Sequence, residues 1–196
     1  NYSKAIKKTR ELLNNSMKIR LRSDVPIAFC LSGGLDSNSL IGISKLQLKK
    51  KIKAYSVLDP DSDYNEKKII DKVVNNLNID HEYIKVNEKK ILEYLSNLIE
   101  YHDQPIATSN FLFHSFIAKK SSADGFKVLI SGLGADEIFS GYYDHTLQYL
   151  YETRNHKKFL QNLKYWKHKT LKYIKNPVFK NYKLYINNPN FRKHLF

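Results

Sequence analysis

Seven glycines are all that the 196 residues contain, and five of the seven fall in two short segments: Gly33 and Gly34, then Gly132, Gly134 and Gly141. Glycine is needed where the backbone takes positive φ or where another group presses on the main chain. These two segments are therefore where the chain is least free in its choice of fold. Each follows a short apolar run. Pro26 to Leu31 reads as a buried strand, Ser32-Gly33-Gly34-Leu35-Asp36-Ser37 breaks it, and Leu40, Ile41, Ile43 and Leu46 resume at helical spacing. Lys127 to Ser131 reads as another strand, and the second glycine segment begins directly after it.

The rest of the chain alternates in the same way. Helical spacing of Ile6, Leu12, Leu13, Met17 and Leu21 predicts a helix over 3–21. Strands are predicted at 52–58 and 81–86, a polar loop at 59–65, and helices at 66–77, 88–101 and 109–120. Asn87 is the expected N-cap of 88–101, and Gln104-Pro105 the break after it. Beyond the second glycine segment the pattern is mostly helical, with turn signals at Asn176-Pro177 and Asn188-Pro189. Strands alternating with helices predict an α/β fold: a doubly wound parallel sheet with helices on both faces, followed by a helical C-terminal segment. Right-handed crossovers put every loop after a strand at the carboxyl edge, where open α/β sheets bind ligands.

Composition removes several classes. Apolar residues make up 42%, enough for a core, and no apolar run approaches the roughly 20 residues of a membrane-spanning helix. The first twenty residues alternate charged and apolar groups, so no signal peptide is expected. The single cysteine, Cys30, excludes a disulfide framework and a cysteine-rich zinc site, and points to a buried core thiol in a cytoplasmic protein. A start at Asn1 in place of Met is read as that of a fragment. Net charge is +14, unevenly spread: residues 1–143 carry 21 basic and 17 acidic side chains, residues 144–196 carry 12 and 2. Nucleic acid is the sharp reading of such a basic stretch. Lysine outnumbers arginine 28 to 5, however, and arginine is the side chain expected where phosphates and bases are read bidentately. Codon bias is therefore favoured over a nucleic-acid partner.

A strand, then Ser-Gly-Gly-Leu-Asp-Ser, then a helix builds an anion site. Glycines expose backbone N–H groups, and the helix start contributes about half a positive charge. There is no Gly-Lys-Ser/Thr, so this is not a Walker A loop.

Leu31 to Ser37 resembles the pyrophosphate loop of the N-type ATP pyrophosphatases, a superfamily that includes asparagine, GMP and NAD synthetases and tRNA-thiolating enzymes. Ser131-Gly132-Leu133-Gly134-Ala135-Asp136-Glu137-Ile138-Phe139-Ser140-Gly141-Tyr142 resembles the signature of glutamine-hydrolysing asparagine synthetases. Asp63-Tyr64-Asn65-Glu66 and Asp103-Gln104-Pro105 are lesser matches to the same family. The resemblance covers roughly 20–145. It implies an adenine nucleotide alpha hydrolase-like fold, with a nucleotide-binding domain at 1–145 and a mainly helical, basic extension of the same synthetase domain at 146–196. It implies a ligase that activates a carboxylate as an acyl-adenylate, releases pyrophosphate, and transfers ammonia to form an amide and AMP. ATP contacts are implied at Leu31, Ser32, Gly33, Gly34, Asp36, Ser37, Val57, Ser131 and Gly132, with adenine held by backbone at Leu31 and Val57. Mg²⁺ is implied at Asp36 and Asp136. Glu137 reads either as a partner of that metal site or as a charge at a helix start.

Relatives also carry a cysteine-led glutaminase domain that supplies the ammonia; this chain has none and reads as the first part of a synthetase domain. A homo-oligomer is compatible with the family. Where many relatives have Glu or Asp between the glycines, this chain has Leu133, which leaves the catalytic residue unassigned and puts aspartate as acceptor in question. Two rivals stay open: an ATP pyrophosphatase acting on tRNA, and a catalytically silent nucleotide-binding module. His81 reads as a polar strand cap as readily as a ligand, and Tyr142-Tyr143 as rim aromatics as readily as a stacking platform. The tail aromatics Tyr149, Phe159, Tyr165, Trp166 and Tyr173 are expected to pack.

Overall fold

The computed structural model describes residues 1–58 and 66–187. The 59–65 loop, with Asp63, Tyr64 and Asn65, and the Asn188-Pro189 turn signal lie outside the described residues. The chain divides into two units, Asn1–Gly132 and Leu133–Phe196.

The first unit is built on four parallel strands, β1 (Ile27–Cys30), β2 (Lys53–Leu58), β3 (Asp80–Lys85) and β4 (Val128–Ile130), in the order β3-β2-β1-β4. Its helices are α1 (Tyr2–Arg20), α2 (Leu35–Gly42), α3 (Lys67–Leu77), α4 (Ile91–His102) and α5 (Asn110–Ala123). Side chains alternate across a strand, and both faces are covered. Phe29, Leu31, Ala54 and Ile130 meet Met17 of α1, Ile41 of α2 and Ile70 of α3 in one core. Ala28 and Tyr55 meet Ile117 of α5 in the other, with Cys30, Val57, Ile84 and Leu129 packed around them. Burial pushes the Cys30 thiol up to about 11, which keeps it from acting as a nucleophile near neutral pH.

Helix ends follow the local chemistry. The helix expected over 88–101 begins as a 3₁₀ turn, Glu88–Lys90, and becomes α-helical only at Ile91; the Asn87 side chain caps that turn by accepting the Lys89 N–H at 3.1 Å. α3 and α4 end on left-handed residues, Asn78 (φ 44°) and Asp103 (φ 51°), the latter just ahead of Gln104-Pro105. α2 continues as a π-helical turn, Ile43–Gln47, in which Ser44 bonds back to the Leu40 carbonyl at 2.8 Å.

The second unit contains α6 (Ala135–Phe139), α7 (Tyr143–Glu152), α8 (Phe159–Lys169), α9 (Pro177–Lys180) and α10 (Tyr182–Asn187). Leu147, Leu150, Trp166, Ile174 and Tyr185 form its core. Asn176-Pro177 starts a helix: Asn176 accepts the Val178 N–H at 3.0 Å and Pro177 fills the first helical position. Packing accounts for Trp166 and Phe159, whereas Tyr149, Tyr165 and Tyr173 lie exposed. Among the described residues no helix is long and apolar enough to cross a membrane.

Candidate functional site

Strand order reverses beside β1. The chain steps outward from β1 to β2 to β3, then returns to the far side of β1 as β4. A ligand crevice at the carboxyl edge is expected at such a reversal. Phe29 lies opposite Ile130, so the first glycine loop and Ser131-Gly132 leave the sheet side by side. Their approach is close. A Cβ on Gly132 would lie 2.9 Å from the Asp36 Cβ and 2.9 Å from the Ser37 backbone nitrogen. Real Cβ atoms do not come so near, and the Ser37 nitrogen belongs to the first turn of α2, which has no freedom to rotate away. Gly132 is thus the residue that lets β4 end against the start of α2.

The loop between β1 and α2 is cross-braced by its own polar groups. The Ser32 and Ser37 hydroxyls lie 2.9 Å apart, and the Ser32 N–H donates to Ser37 Oγ at 3.2 Å. The Gly34 N–H donates to Ser32 Oγ at 3.2 Å, and the Gly33 N–H to Glu66 Oε2 at 2.7 Å. Asn38 Nδ2 ties the loop to the helix through the Gly34 and Ser32 carbonyls, at 2.6 and 3.2 Å, while Asn38 Oδ1 is buried with no partner. Gly34 is the N-cap of α2 and carries no capping side chain. Every helix start leaves N–H groups without intrahelical acceptors, and here they open beside Asp36, in the first turn. Ser37 is buried and Gly33 is lined by Glu66.

Leu31 and Val57 sit farther back. Leu31 is a core side chain. Its N–H donates to the Tyr55 carbonyl at 2.9 Å, and its carbonyl accepts from Ser56 Oγ at 2.5 Å. Ser56 in turn lies 2.8 Å from His81 Nε2. Burial holds the His81 imidazole below its ordinary pKa, and its ring stands edge-on to Tyr83 at 4.4 Å. His81 is therefore a braced partner of Ser56, neither a bare strand cap nor a member of a ligand cluster. Val57 pairs with Ile84 across β2 and β3.

The remaining sequence candidates belong to the second unit. Leu133 is exposed. Asp136 and Glu137 lie in the first turn of α6. The Asp136 carboxylate occupies the space a Cβ on Gly141 would need, with its Cγ 2.6 Å from that point. Glu137 Oε1 accepts from the Tyr142 hydroxyl at 2.6 Å; this bond holds the Glu137 carboxyl below its usual range and pushes Tyr142 up to about 12. Tyr142 is thereby committed to Glu137. Among the described residues no three His, Cys, Asp or Glu side chains gather into a metal cluster.

Three contacts were not singled out from the sequence: Glu66 on Gly33, Ser56 and His81 behind Leu31, and Asn38 beneath the loop. Glu66 had a signal, as the last residue of the Asp63-Tyr64-Asn65-Glu66 match, and the sequence reads His81 only as a strand cap or a ligand.

A parallel sheet with a glycine-bearing loop at its reversal point is the architecture of nucleotide-binding α/β domains. The profile of the Asparagine synthase family matches residues 8–189, and the chain belongs to that family. It is 32% identical over 147 residues to the amidase chyE of Penicillium rubens, covering 68% of this chain and 22% of that protein. It is 28% identical over 139 residues to asparagine synthetase [glutamine-hydrolyzing] 1 of Bacillus subtilis, covering 71% of this chain and 22% of that one. The chain thus spans 22% of the length of either curated relative. A solved NH3-dependent NAD synthetase from Campylobacter jejuni aligns over 98% of this chain and 96% of its own, at 18% identity and a TM-score of 0.47.

Proposed function

We propose that this chain binds ATP as part of an amide-forming ligase of the asparagine synthase type. The observation that carries the reading is the convergence of the Ser32–Ser37 loop and Ser131-Gly132 at the sheet reversal, with Gly132 pressed onto the first turn of α2. Residues suited to a pyrophosphate group converge there: backbone N–H groups of an uncapped helix start, the glycines, and the Ser32 and Ser37 hydroxyls. In this reading the loop holds the β and γ phosphates, so the bond that breaks lies between the α and β phosphates. The carboxylate substrate takes the adenylyl group, pyrophosphate leaves, and ammonia displaces AMP.

Mg²⁺ fits the donor set. It takes one or two carboxylates plus phosphate oxygens, and does not require an all-protein cage. Asp36, beside the loop, would hold it; when bound it would neutralise charge on the leaving pyrophosphate. Leu31 has its N–H engaged by Tyr55, so its contribution to adenine is limited to the second lone pair of its carbonyl. Leu133 cannot move a proton, so the acceptor carboxylate need not be aspartate.

The test is competition and product analysis. Pyrophosphate should displace magnesium ATP from the chain, and AMP should compete far more weakly. In the intact ligase of which this chain is part, supplied with an acceptor carboxylate and ammonia, labelled ATP should yield AMP and pyrophosphate. Competition by AMP but not by pyrophosphate, or ADP and orthophosphate as products, would contradict the reading.

A further inference from the structure

Gly33 sits at the centre of the phosphate loop, and its N–H is already engaged. Glu66, the residue just before α3, accepts it through Oε2 at 2.7 Å. That length is in the range of a charge-assisted bond. The contact is broad as well as short. The Cβ, Cδ and Cγ of Glu66 lie 2.9, 3.1 and 3.3 Å from where a Gly33 Cβ would stand, so the side chain lies along the loop backbone. Glu66 is exposed, and nothing in its burial opposes a swing into solvent.

A backbone N–H carries one proton and makes one good hydrogen bond. A carboxylate and a phosphate oxygen cannot both have it, and two anions around one donor repel. We infer that Glu66 is an internal competitor of the pyrophosphate group: it holds the Gly33 N–H, yields it to a phosphate oxygen, and reclaims it as pyrophosphate departs. This rests on the pyrophosphate reading of the loop. It makes Glu66 an affinity-setting residue, one that weakens binding of the very group the loop is shaped for. A ligand with more negative charge and more contacts displaces it better, so pyrophosphate is favoured over a monophosphate. The device also speeds product release, since an anion waits beside the donor.

The experiment titrates the chain with magnesium pyrophosphate by calorimetry, as wild type, Glu66→Gln and Glu66→Ala. Hydrogen bonds to charged groups are worth a factor of about ten or more, so Glu66→Ala should bind about tenfold tighter than wild type. Glu66→Gln loses the charge but keeps an acceptor for the Gly33 N–H, and should fall between the two. The Gly33 amide resonance supplies a second readout. It should differ between wild type and Glu66→Ala without ligand and converge when pyrophosphate is bound. Unchanged or weaker binding in Glu66→Ala, with wild type still binding, would overturn the proposal and make Glu66 a support of the loop. Equal tightening by Gln and Ala would also overturn it, since charge alone would explain the effect. Failure of all three folded proteins to bind pyrophosphate would instead overturn the pyrophosphate reading, and this proposal with it.

Discussion

Gly132→Ala should cost the chain at least about tenfold in affinity for magnesium ATP, with a destabilisation of about 1–3 kcal/mol. The added Cβ meets the Asp36 Cβ and the Ser37 backbone nitrogen, both at 2.9 Å. A flexible side chain could turn aside; a helix backbone cannot. The end of β4 and the start of α2 must therefore separate, which opens the loop where the phosphate donors converge. Gly42→Ala is the matched control. That Cβ meets nothing within 4 Å, at φ −59° in a helical stretch. It should leave affinity unchanged and raise stability by about 0.5–1 kcal/mol. Titration and thermal melts of both variants check this. Wild-type affinity in Gly132→Ala would mean that the close approach has no part in binding.

Trp166→Ala should be the most damaging single change in the second unit, at about 3–5 kcal/mol. Trp166 is buried among Leu147, Leu150, Ile174 and Tyr185, and its indole N–H donates to Thr146 Oγ1 at 3.0 Å. Truncation leaves a cavity and removes the indole donor to Thr146 Oγ1, which keeps its bond to the Tyr143 carbonyl. Among the described residues, the buried clusters of the first unit run no further than Ile130. Amide exchange should accordingly lose protection in α7 and α8 while the sheet stays protected. Simultaneous loss in β1, β2 and α8 would show that the two units do not keep separate cores.

Much of the first unit can be read from sequence because its signals are local. The break from an apolar run to Ser-Gly-Gly and then to helical spacing marks β1, the loop and α2 within some twenty residues. Asn87 identifies itself as a cap, although it starts a 3₁₀ turn and not the α-helix directly. Asn176-Pro177, legible as a turn, proves to be a helix start. What the sequence hides depends on distance along the chain. Glu66 reaches Gly33 from 33 residues away, and Ser56 links Leu31 to His81 across two strands. No periodicity encodes such meetings; they follow from strand order and register. The pressure of Gly132 on α2 belongs with them: the glycine is visible, but its reason appears only when β4 lies beside β1. Tyr142 shows the limit within a motif, where its hydroxyl is bound to Glu137 five residues away.

The central claim is that the Ser32–Ser37 loop and Ser131-Gly132 receive the pyrophosphate end of ATP. Backbone amide resonances of the isotope-labelled chain, followed while magnesium pyrophosphate is added, test it most directly. The account predicts that the largest shifts fall on Ser32 to Ser37 and on Ser131 and Gly132, that Gly33 moves as Glu66 lets go, and that the lysine-bearing helices α8 and α9 barely respond. Shifts concentrated on those helices, with the glycine loop silent, would contradict it.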